Sequence, residues 1–357
     1  MVRQLMKGCE AIAEAALRGG CRYFFGYPIT PQNDIPEYMS ARLPEIGGVF
    51  LQAESEVAAS HMVYGAAGAG ARVMTSSSSP GISLKQEGIS YLAATELPCV
   101  IVNVMRGGPG LGGIQASQGD YFQAVKGGGH GDYKLIVYGP ASLQEAADIL
   151  YDAFDISDKY LVPVMILADG IIGQMMEPVE MPEFKSDDEI KTDKPWAATG
   201  WKEGCGRKRA IVNSLNIEDE LLNGLHERLQ ARYRIIERDE VRYEAYMLDD
   251  AEIVLTAFGT MARVCKAAVD EMNALGMKTG LIRPITLYPF PTEILAKTAA
   301  TPHVKKFLTV EISSGQMLDD VRLAINGAKP VEFLGYPGSR IVTIDEIIEK
   351  VKSIKEG

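Results

Sequence analysis

The sequence predicts an α/β protein. A doubly wound parallel sheet is expected over residues 1–176, a connector with an amphipathic helix over 177–249, and a second α/β unit over 250–357. Two observations carry this reading. Short, continuously apolar runs such as Cys99–Met105 (CVIVNVM) alternate with helix-length segments. That is the pattern of strands buried on both faces and joined by crossover helices. The alternation then fails across Glu177–Arg209, which holds Pro178, Pro182, Pro195 and the charged run Lys185–Lys194, and it resumes at Ala251. At 357 residues the chain also exceeds one ordinary core.

Taken in order, the opening residues read as a helix, Gln4–Arg18, stopped by Gly19-Gly20, and not as a leader. Cys21–Tyr27 reads as a strand, after which Thr30 suits an N-cap and Pro31 the first turn of a helix to about Ser40. Val49–Gln52 reads as a buried strand running into an Ala-rich helix with Glu56 in its first turn, close to a positive helix end. Ala71–Met74 is a third strand and ends in Thr75-Ser76-Ser77-Ser78-Ser79-Pro80-Gly81 before a helix to about Thr95. Cys99–Met105 is the fourth and runs into Arg106 and Gly107–Gly113. Leu135–Tyr138, the helix Ser142–Asp155 and the strand Val162–Leu167 continue the alternation. Asn216–Asp249 reads as a charged helix whose apolar spots, Leu221 to Val241, cover a sheet or an interface. Beyond it, Glu252–Ala257 is a strand and Met261–Leu275 a helix, with Lys278–Pro284, Phe307–Glu311, Asp319–Ile325 and Ile344–Ile354 extending the unit.

Composition removes several function classes. A net charge of −11 opposes nucleic acid or an anionic membrane as partner, since both require a basic face. No run approaches the roughly 20 apolar residues that span a bilayer. Cys9, Cys21, Cys99, Cys205 and Cys265 are scattered without a CxxC pair, so neither a zinc site nor an iron–sulfur cluster is encoded, and free thiols in a reducing cytoplasm are expected. The four histidines stand far apart in the sequence, which leaves no expected metal ligands.

In an open parallel sheet, ligands bind outside the carboxyl ends of the strands. Thr30, Glu56, Ser76–Ser79 and Arg106 with its Gly-rich loop all fall at such ends. One rim would then carry a hydroxyl, an acid, a hydroxyl-rich turn and a guanidinium suited to bidentate capture of a carboxylate. Each has a plainer reading. Glu56 can be a dipole-matched surface acid, the Ser run a cap and turn, and Arg106 the partner of Glu54 or Asp120. Gly108–Gly113 matches GxGxxG in its letters, but no clear helix opens from it, which weakens a dinucleotide reading; GxxxxGK[ST] is absent. Asp169-Gly170 reads as a turn.

The combination of Gly26-Tyr27-Pro28-Ile29-Thr30-Pro31, Glu54-Ser55-Glu56-Val57-Ala58-Ala59 and Val102–Pro109 (VNVMRGGP) resembles the α subunit of the 2-oxoacid:ferredoxin oxidoreductases. YPITPQN, QAESEVAA, SSSSPGISLKQEGISY and KGGGHGDY are most similar to the branched-chain type, which acts on 2-ketoisovalerate (3-methyl-2-oxobutanoate). Ser55 and Ser76–Ser79 depart from the EDE and TSGPG forms of the 2-oxoglutarate type. The resemblance implies a pyrimidine-binding domain of the thiamine-diphosphate type, followed by a transketolase C-terminal-like domain serving assembly. It implies oxidative decarboxylation with acyl transfer to CoA and electrons passed to ferredoxin. Glu56, not Glu54, matches the acid that bonds N1′ of the aminopyrimidine. Thr30 and Arg106 match the contacts to the 2-oxoacid carboxylate, and Ser76, Ser77, Gly107 and Gly108 line the cofactor side. No GDG with a downstream Asn and no Cys cluster is present. The resemblance therefore places Mg2+ on a β subunit and the iron–sulfur clusters on a ferredoxin-like δ subunit, with a γ subunit alongside and thiamine diphosphate at the interface with β. Two other readings stay open: a subunit of the same superfamily acting on 2-oxoglutarate or pyruvate, and a non-catalytic assembly subunit.

Overall fold

The apolar runs of the N-terminal half become strands of one sheet in the computed structural model, which describes residues 3–186, 188–190 and 194–356. Its elements are β1 (Gln4–Lys7), α1 (Gly8–Arg18), β2 (Tyr23–Gly26), α2 (Asp34–Glu45), β3 (Val49–Gln52), α3 (Glu56–Gly68), β4 (Val73–Ser77), α4 (Ser79–Ala94), β5 (Val100–Met105), α5 (Tyr121–Val125), β6 (Ile136–Tyr138), α6 (Leu143–Tyr160), β7 (Val164–Asp169), α7 (Gly170–Gln174) and β8 (Met176–Val179). Strands β2 to β7 run parallel in the order β6-β7-β5-β4-β2-β3. Helices cover both faces, so successive residues of β5 enter different cores. Val100, Val102 and Val104 join the layer of α1, α2 and α6, while Ile101 and Met105 join Val63, Ile82 and Leu92. Burial on both sides is why this strand is apolar without alternation.

The C-terminal half contains α8 (Asp219–Asp239), β9 (Tyr243–Tyr246), β10 (Ile253–Thr256), α9 (Gly259–Ala274), β11 (Thr279–Pro284), β12 (Thr286–Tyr288), α10 (Thr292–Ala299), β13 (Lys306–Glu311), α11 (Gln316–Ile325), β14 (Val331–Gly335) and α12 (Ile344–Glu356). A second sheet has the order β14-β13-β10-β11-β9, with β9 antiparallel at its edge. Strand β12 leaves this unit and pairs antiparallel with β6 as the seventh strand of the first sheet. The two halves are thus stitched through a shared sheet as well as through side chains.

Several sequence expectations change. Gln4–Lys7 is not helical: it pairs antiparallel with β8, and the helix starts at Gly8, where Glu10 accepts the Lys7 N–H at 3.4 Å. Thr30 does not cap a helix, because α2 begins at Asp34 with Asn33 at its N-cap. β3 is an edge strand, and Val49 and Leu51 are 43% and 41% exposed, not buried. The helix expected to reach Asp249 stops at Asp239, since Tyr243–Tyr246 gains a ladder with β11. On α8, Leu225, Leu229, Tyr233 and Ile236 form the buried stripe, whereas Leu221 and Leu222 are exposed. Within the connector, the Lys185 Nζ donates to the Tyr151 carbonyl at 2.9 Å and Lys194 pairs with Asp158 at 2.8 Å, both on α6. Of the charged run Lys185–Lys194, residues 187 and 191–193 lie outside the described residues. No described helix is long and apolar enough to cross a membrane.

Candidate active site

The site is assembled around the first turn of α4. β4 ends at Ser77, Ser78 occupies the N-cap, and Pro80 sits where a missing N–H costs nothing. This turn touches two neighbours. On one side Gly81 abuts Glu56: a Cβ there would lie 2.8 Å from Glu56 Oε1 and 2.1 Å from Ser77 Oγ. On the other, Ser79 Oγ accepts the Arg106 backbone N–H at 3.0 Å and donates to Asp120 at 2.6 Å. Glu56 opens α3 behind the Ser55 N-cap, whose Oγ accepts the Ala58 N–H at 3.1 Å. Its side chain is buried at 6% exposure, while Glu54 is exposed. The plainer reading of Glu56 as a surface charge therefore fails, and for Glu54 it stands.

Arg106 reaches across the rim. Its Nη1 donates to the Thr30 carbonyl and its Nη2 to the Leu111 carbonyl, both at 2.8 Å, while the buried Nε–H has no partner among the described residues. It pairs with neither Glu54 nor Asp120. Two carbonyls hold the guanidinium in place without consuming its charge, and one buried donor is left over. Thr30 itself is exposed, with its hydroxyl 3.5 Å from Asn33 Nδ2. The structure thus brings Thr30 to Arg106, and Ser77 to Glu56, with α4 linking the two pairs. The serines divide their work. Ser76 donates its hydroxyl to Gln32, whereas Ser77 and Ser78 Oγ are buried and unpartnered among the described residues. The loop after Arg106 closes on itself, Gly107 N–H to Gln115 O at 2.9 Å and Gly113 N–H to Gly107 O at 2.8 Å. No helix starts within it, which removes the dinucleotide reading. Asp169 is not a turn residue either: it caps α7 and accepts both the N–H and the Oγ–H of Thr260, at 2.9 and 2.7 Å.

Four residues of the rim were not singled out as site residues from sequence. Gln32 is fully buried and bonds the Tyr27 carbonyl as well as Ser76. Asn103 accepts the Ser79 N–H and donates to Asp120 at 3.0 Å. Burial pushes the Asp120 carboxyl up, against hydrogen bonds from Ser79 and Asn103 and the charge of Arg106. Lys85 is fully buried on the α4 face that carries Gly81 and Gly88, and its Nζ donates to Thr75 Oγ1 at 2.9 Å. Burial lowers its ammonium from the usual 10.5 to about 8, opposed by the Glu56 carboxylate. The legible signal for Lys85 was its place four residues after Gly81 and three before Gly88, which puts it on the close-packing face of a helix.

Known proteins share this arrangement of sequence. A family model described as pyruvate flavodoxin/ferredoxin oxidoreductase, thiamine diphosphate-binding, matches residues 14–221, and one for core domain II of pyruvate:ferredoxin oxidoreductase matches residues 251–347. The chain belongs to the 2-oxoacid:ferredoxin oxidoreductase family. It is 49% identical over 354 residues to the ketoisovalerate oxidoreductase subunit VorB of Methanothermobacter marburgensis, covering 99% of this chain and 98% of that one. It is 35% identical over 363 residues to the 2-oxoglutarate synthase subunit KorA of Methanocaldococcus jannaschii, covering 96% and 98%. The solved 2-oxoglutarate:ferredoxin oxidoreductase of Magnetococcus marinus, with 2-oxoglutarate, coenzyme A and succinyl-CoA bound, superposes with a TM-score of 0.85 at 26% identity. That match covers 98% of this chain and 65% of that chain. A split-gene transketolase shares the fold alone, at a TM-score of 0.60 and 14% identity.

Within this oxidoreductase subunit the rim suits the pyrimidine half of thiamine diphosphate. Glu56 is a buried acid, and beside it Ser77 and Ser78 hold buried hydroxyls without a partner among the described residues; together these can meet the polar edge of such a ring. Among the described residues no cluster of three or more His, Cys, Asp or Glu is placed to hold a metal ion.

Proposed function

We propose that this chain supplies the pyrimidine-binding and carboxylate-binding half of an oxidoreductase acting on branched-chain 2-oxoacids, of which 2-ketoisovalerate is the representative. The observation that carries the reading is the α4 turn, which packs the buried Glu56 on one side and seats a half-satisfied Arg106 on the other. Thiamine diphosphate, when bound, supplies the carbon nucleophile and the electron sink. The protein's own groups do the rest. Glu56 holds a proton at the ring nitrogen N1′, and Ser77 and Ser78 offer hydroxyls beside it. Arg106, with its spare Nε–H, and Thr30, with its exposed hydroxyl, hold the 2-oxoacid carboxylate. The exposed Gly-rich loop forms the wall on that side.

The diphosphate, its Mg2+ and the iron–sulfur clusters fall in this proposal to partner subunits, a β chain and a ferredoxin-like δ chain with a γ chain alongside. The isolated chain is then inactive, and external ferredoxin and CoA are met by the assembled complex in the cytoplasm. The names of the 47–49% identical relatives favour ketoisovalerate, and those of the 34–36% identical relatives mark 2-oxoglutarate as the competing substrate. The test is reconstitution with the partner subunits and assay of CoA-dependent, 2-oxoacid-dependent ferredoxin reduction. Glu56→Gln should lower turnover by about 100-fold or more, the scale of a lost proton-handling group. Near-normal turnover would leave only an assembly role, and a strong preference for 2-oxoglutarate over 2-ketoisovalerate would overturn the substrate.

A further inference from the structure

The Gly-rich loop that carries Arg106 does not rest on its own half of the molecule. Arg106 forms an antiparallel bridge with Ala116, and the two residues after it cross to the C-terminal unit. There Gln118 is fully buried and behaves like an extra peptide unit. Its backbone N–H donates to the Ile312 carbonyl at 2.9 Å, its Oε1 accepts the Ile312 N–H at 3.0 Å, and its Nε2 donates to the Phe258 carbonyl at 2.8 Å. Gln316 adds a second clasp one step further on: its Nε2 donates to the Gly119 carbonyl and its Oε1 accepts the Phe122 N–H, both at 2.7 Å. The start of the loop meets the same unit, since a Cβ built at Gly107 would lie 3.6 Å from the backbone of Gly338.

We propose that Gln118 is a positioning residue of the 2-oxoacid site, through which the C-terminal unit holds the Arg106 loop in place. The inference rests on the reading of Arg106 as the carboxylate ligand. The mechanical argument is short. One Arg106 N–H is seated on the Leu111 carbonyl at the loop tip, so the direction of the guanidinium depends on where that tip lies. Besides that bond, the described ties inside the loop are the Arg106–Ala116 bridge and the Gly107–Gln115 and Gly113–Gly107 hydrogen bonds, and Leu111 and Ile114 are 82% and 60% exposed. The firm anchor is at residue 118, where three hydrogen bonds are sheltered from water. Losing its two side-chain bonds leaves the Gln118 backbone N–H and the Ser117 hydroxyl on the Ile312 carbonyl, loosens residues 113–117 and lets Arg106 lose its second carbonyl. Such a change loosens carboxylate binding equally in the ground state and the transition state. It therefore raises KM for the 2-oxoacid and spares kcat. The C-terminal unit thereby becomes part of the substrate site without touching substrate.

The experiment compares Gln118→Leu, Gln316→Ala and Arg106→Lys in the reconstituted complex, with hydrogen–deuterium exchange on the purified full chain. Gln118→Leu should raise KM for 2-ketoisovalerate about tenfold with kcat within twofold and KM for CoA unchanged. Gln316→Ala should move the same constant by a few fold. Exchange should quicken over residues 107–117 and not in β4 or β5. Unchanged loop exchange, or a fall in kcat at constant KM, overturns the proposal. If Arg106→Lys raises KM while the Gln118 and Gln316 variants do not, the positioning role is wrong and the ligand reading survives. If Arg106→Lys itself leaves KM unchanged, the ligand reading fails first. Should Gln118→Leu not assemble, Gln316→Ala carries the decision.

Discussion

Replacing the buried lysine of the site with an isosteric apolar residue, Lys85→Met, should stabilise the protein at neutral pH. Lys85 is fully buried, and burial lowers its pKa from 10.5 to about 8 even with Glu56 acting in the opposite direction. At about 1.4 kcal/mol per pH unit, holding that charge costs the folded state about 3 kcal/mol. The substitution also removes the hydrogen bond to Thr75, worth about 1 kcal/mol. Thr75 keeps its own bond to the Phe25 carbonyl at 2.6 Å, so no donor is orphaned. The net gain is about 2 kcal/mol at pH 7, or about 3 °C in the melting temperature of the whole chain. The sign of the pH dependence follows by linkage. Below pH 8 the lysine is charged in both states and the penalty is present in full. Between about pH 8 and 10.5 the folded protein releases a proton that the unfolded chain retains, so the wild type gains stability as pH rises. Thermal melts of the wild type and Lys85→Met at pH 7 and pH 10 should show a gap that narrows at the higher pH. A variant less stable than wild type at pH 7, or a gap independent of pH, refutes the reasoning.

Two further expectations rest on the same geometry. Gly81→Ala places a methyl 2.1 Å from Ser77 Oγ and 2.8 Å from Glu56 Oε1. It should cut turnover of the complex by at least about tenfold while costing only about 1–3 kcal/mol of stability, and a variant with wild-type kcat would show that Glu56 has room to spare. Asp169→Leu removes the acceptor of four hydrogen bonds from Ile171, Ile172 and Thr260. It should destabilise the protein by about 3 kcal/mol or more and split calorimetric unfolding into separate transitions for the two units; a single transition at the wild-type temperature would deny it a joining role.

What could be read from the sequence was what local chemistry decides. Val100–Met105 could be read as a strand because both its faces are buried, and Arg106 could be placed at its end by counting. The same reasoning misplaced β3, because an edge strand with Val49 and Leu51 exposed carries the same letters as a central one. It also missed β1, whose strand character comes from pairing with residues about 170 positions away. Thr30 is expected at the rim from its hydroxyl, as a cap or as a carboxylate contact; its use as an acceptor for Arg106 depends on a backbone carbonyl, which no residue type announces. Gln118 and Asp169 were beyond reach for a related reason. Their partners, Ile312, Phe258 and Thr260, lie on the other unit, and a Gln or Asp next to a glycine reads as an ordinary loop residue until the two units meet.

The distribution of unmet polar groups separates a binding site from a merely capped sheet edge. A scaffold whose rim residues were only caps and ion pairs would leave its buried donors satisfied, because each orphan costs about 1–3 kcal/mol. Here Ser77 Oγ, Ser78 Oγ and Arg106 Nε account for three of the seven buried polar atoms without a partner among the described residues. All three belong to the α4 turn or to the arginine seated on it. Beside them lies a lysine whose buried charge works against folding and faces the acid of α3. These costs are local to the strand-end rim that also carries Glu56, Thr30 and the Gly-rich loop. With three buried groups left unmet at one place, the fold is more stable once something fills the rim. Ligand-dependent stabilisation of the assembled complex, by thiamine diphosphate and by 2-oxoacid separately, should therefore be lost in parallel with activity when Glu56 and Arg106 respectively are replaced.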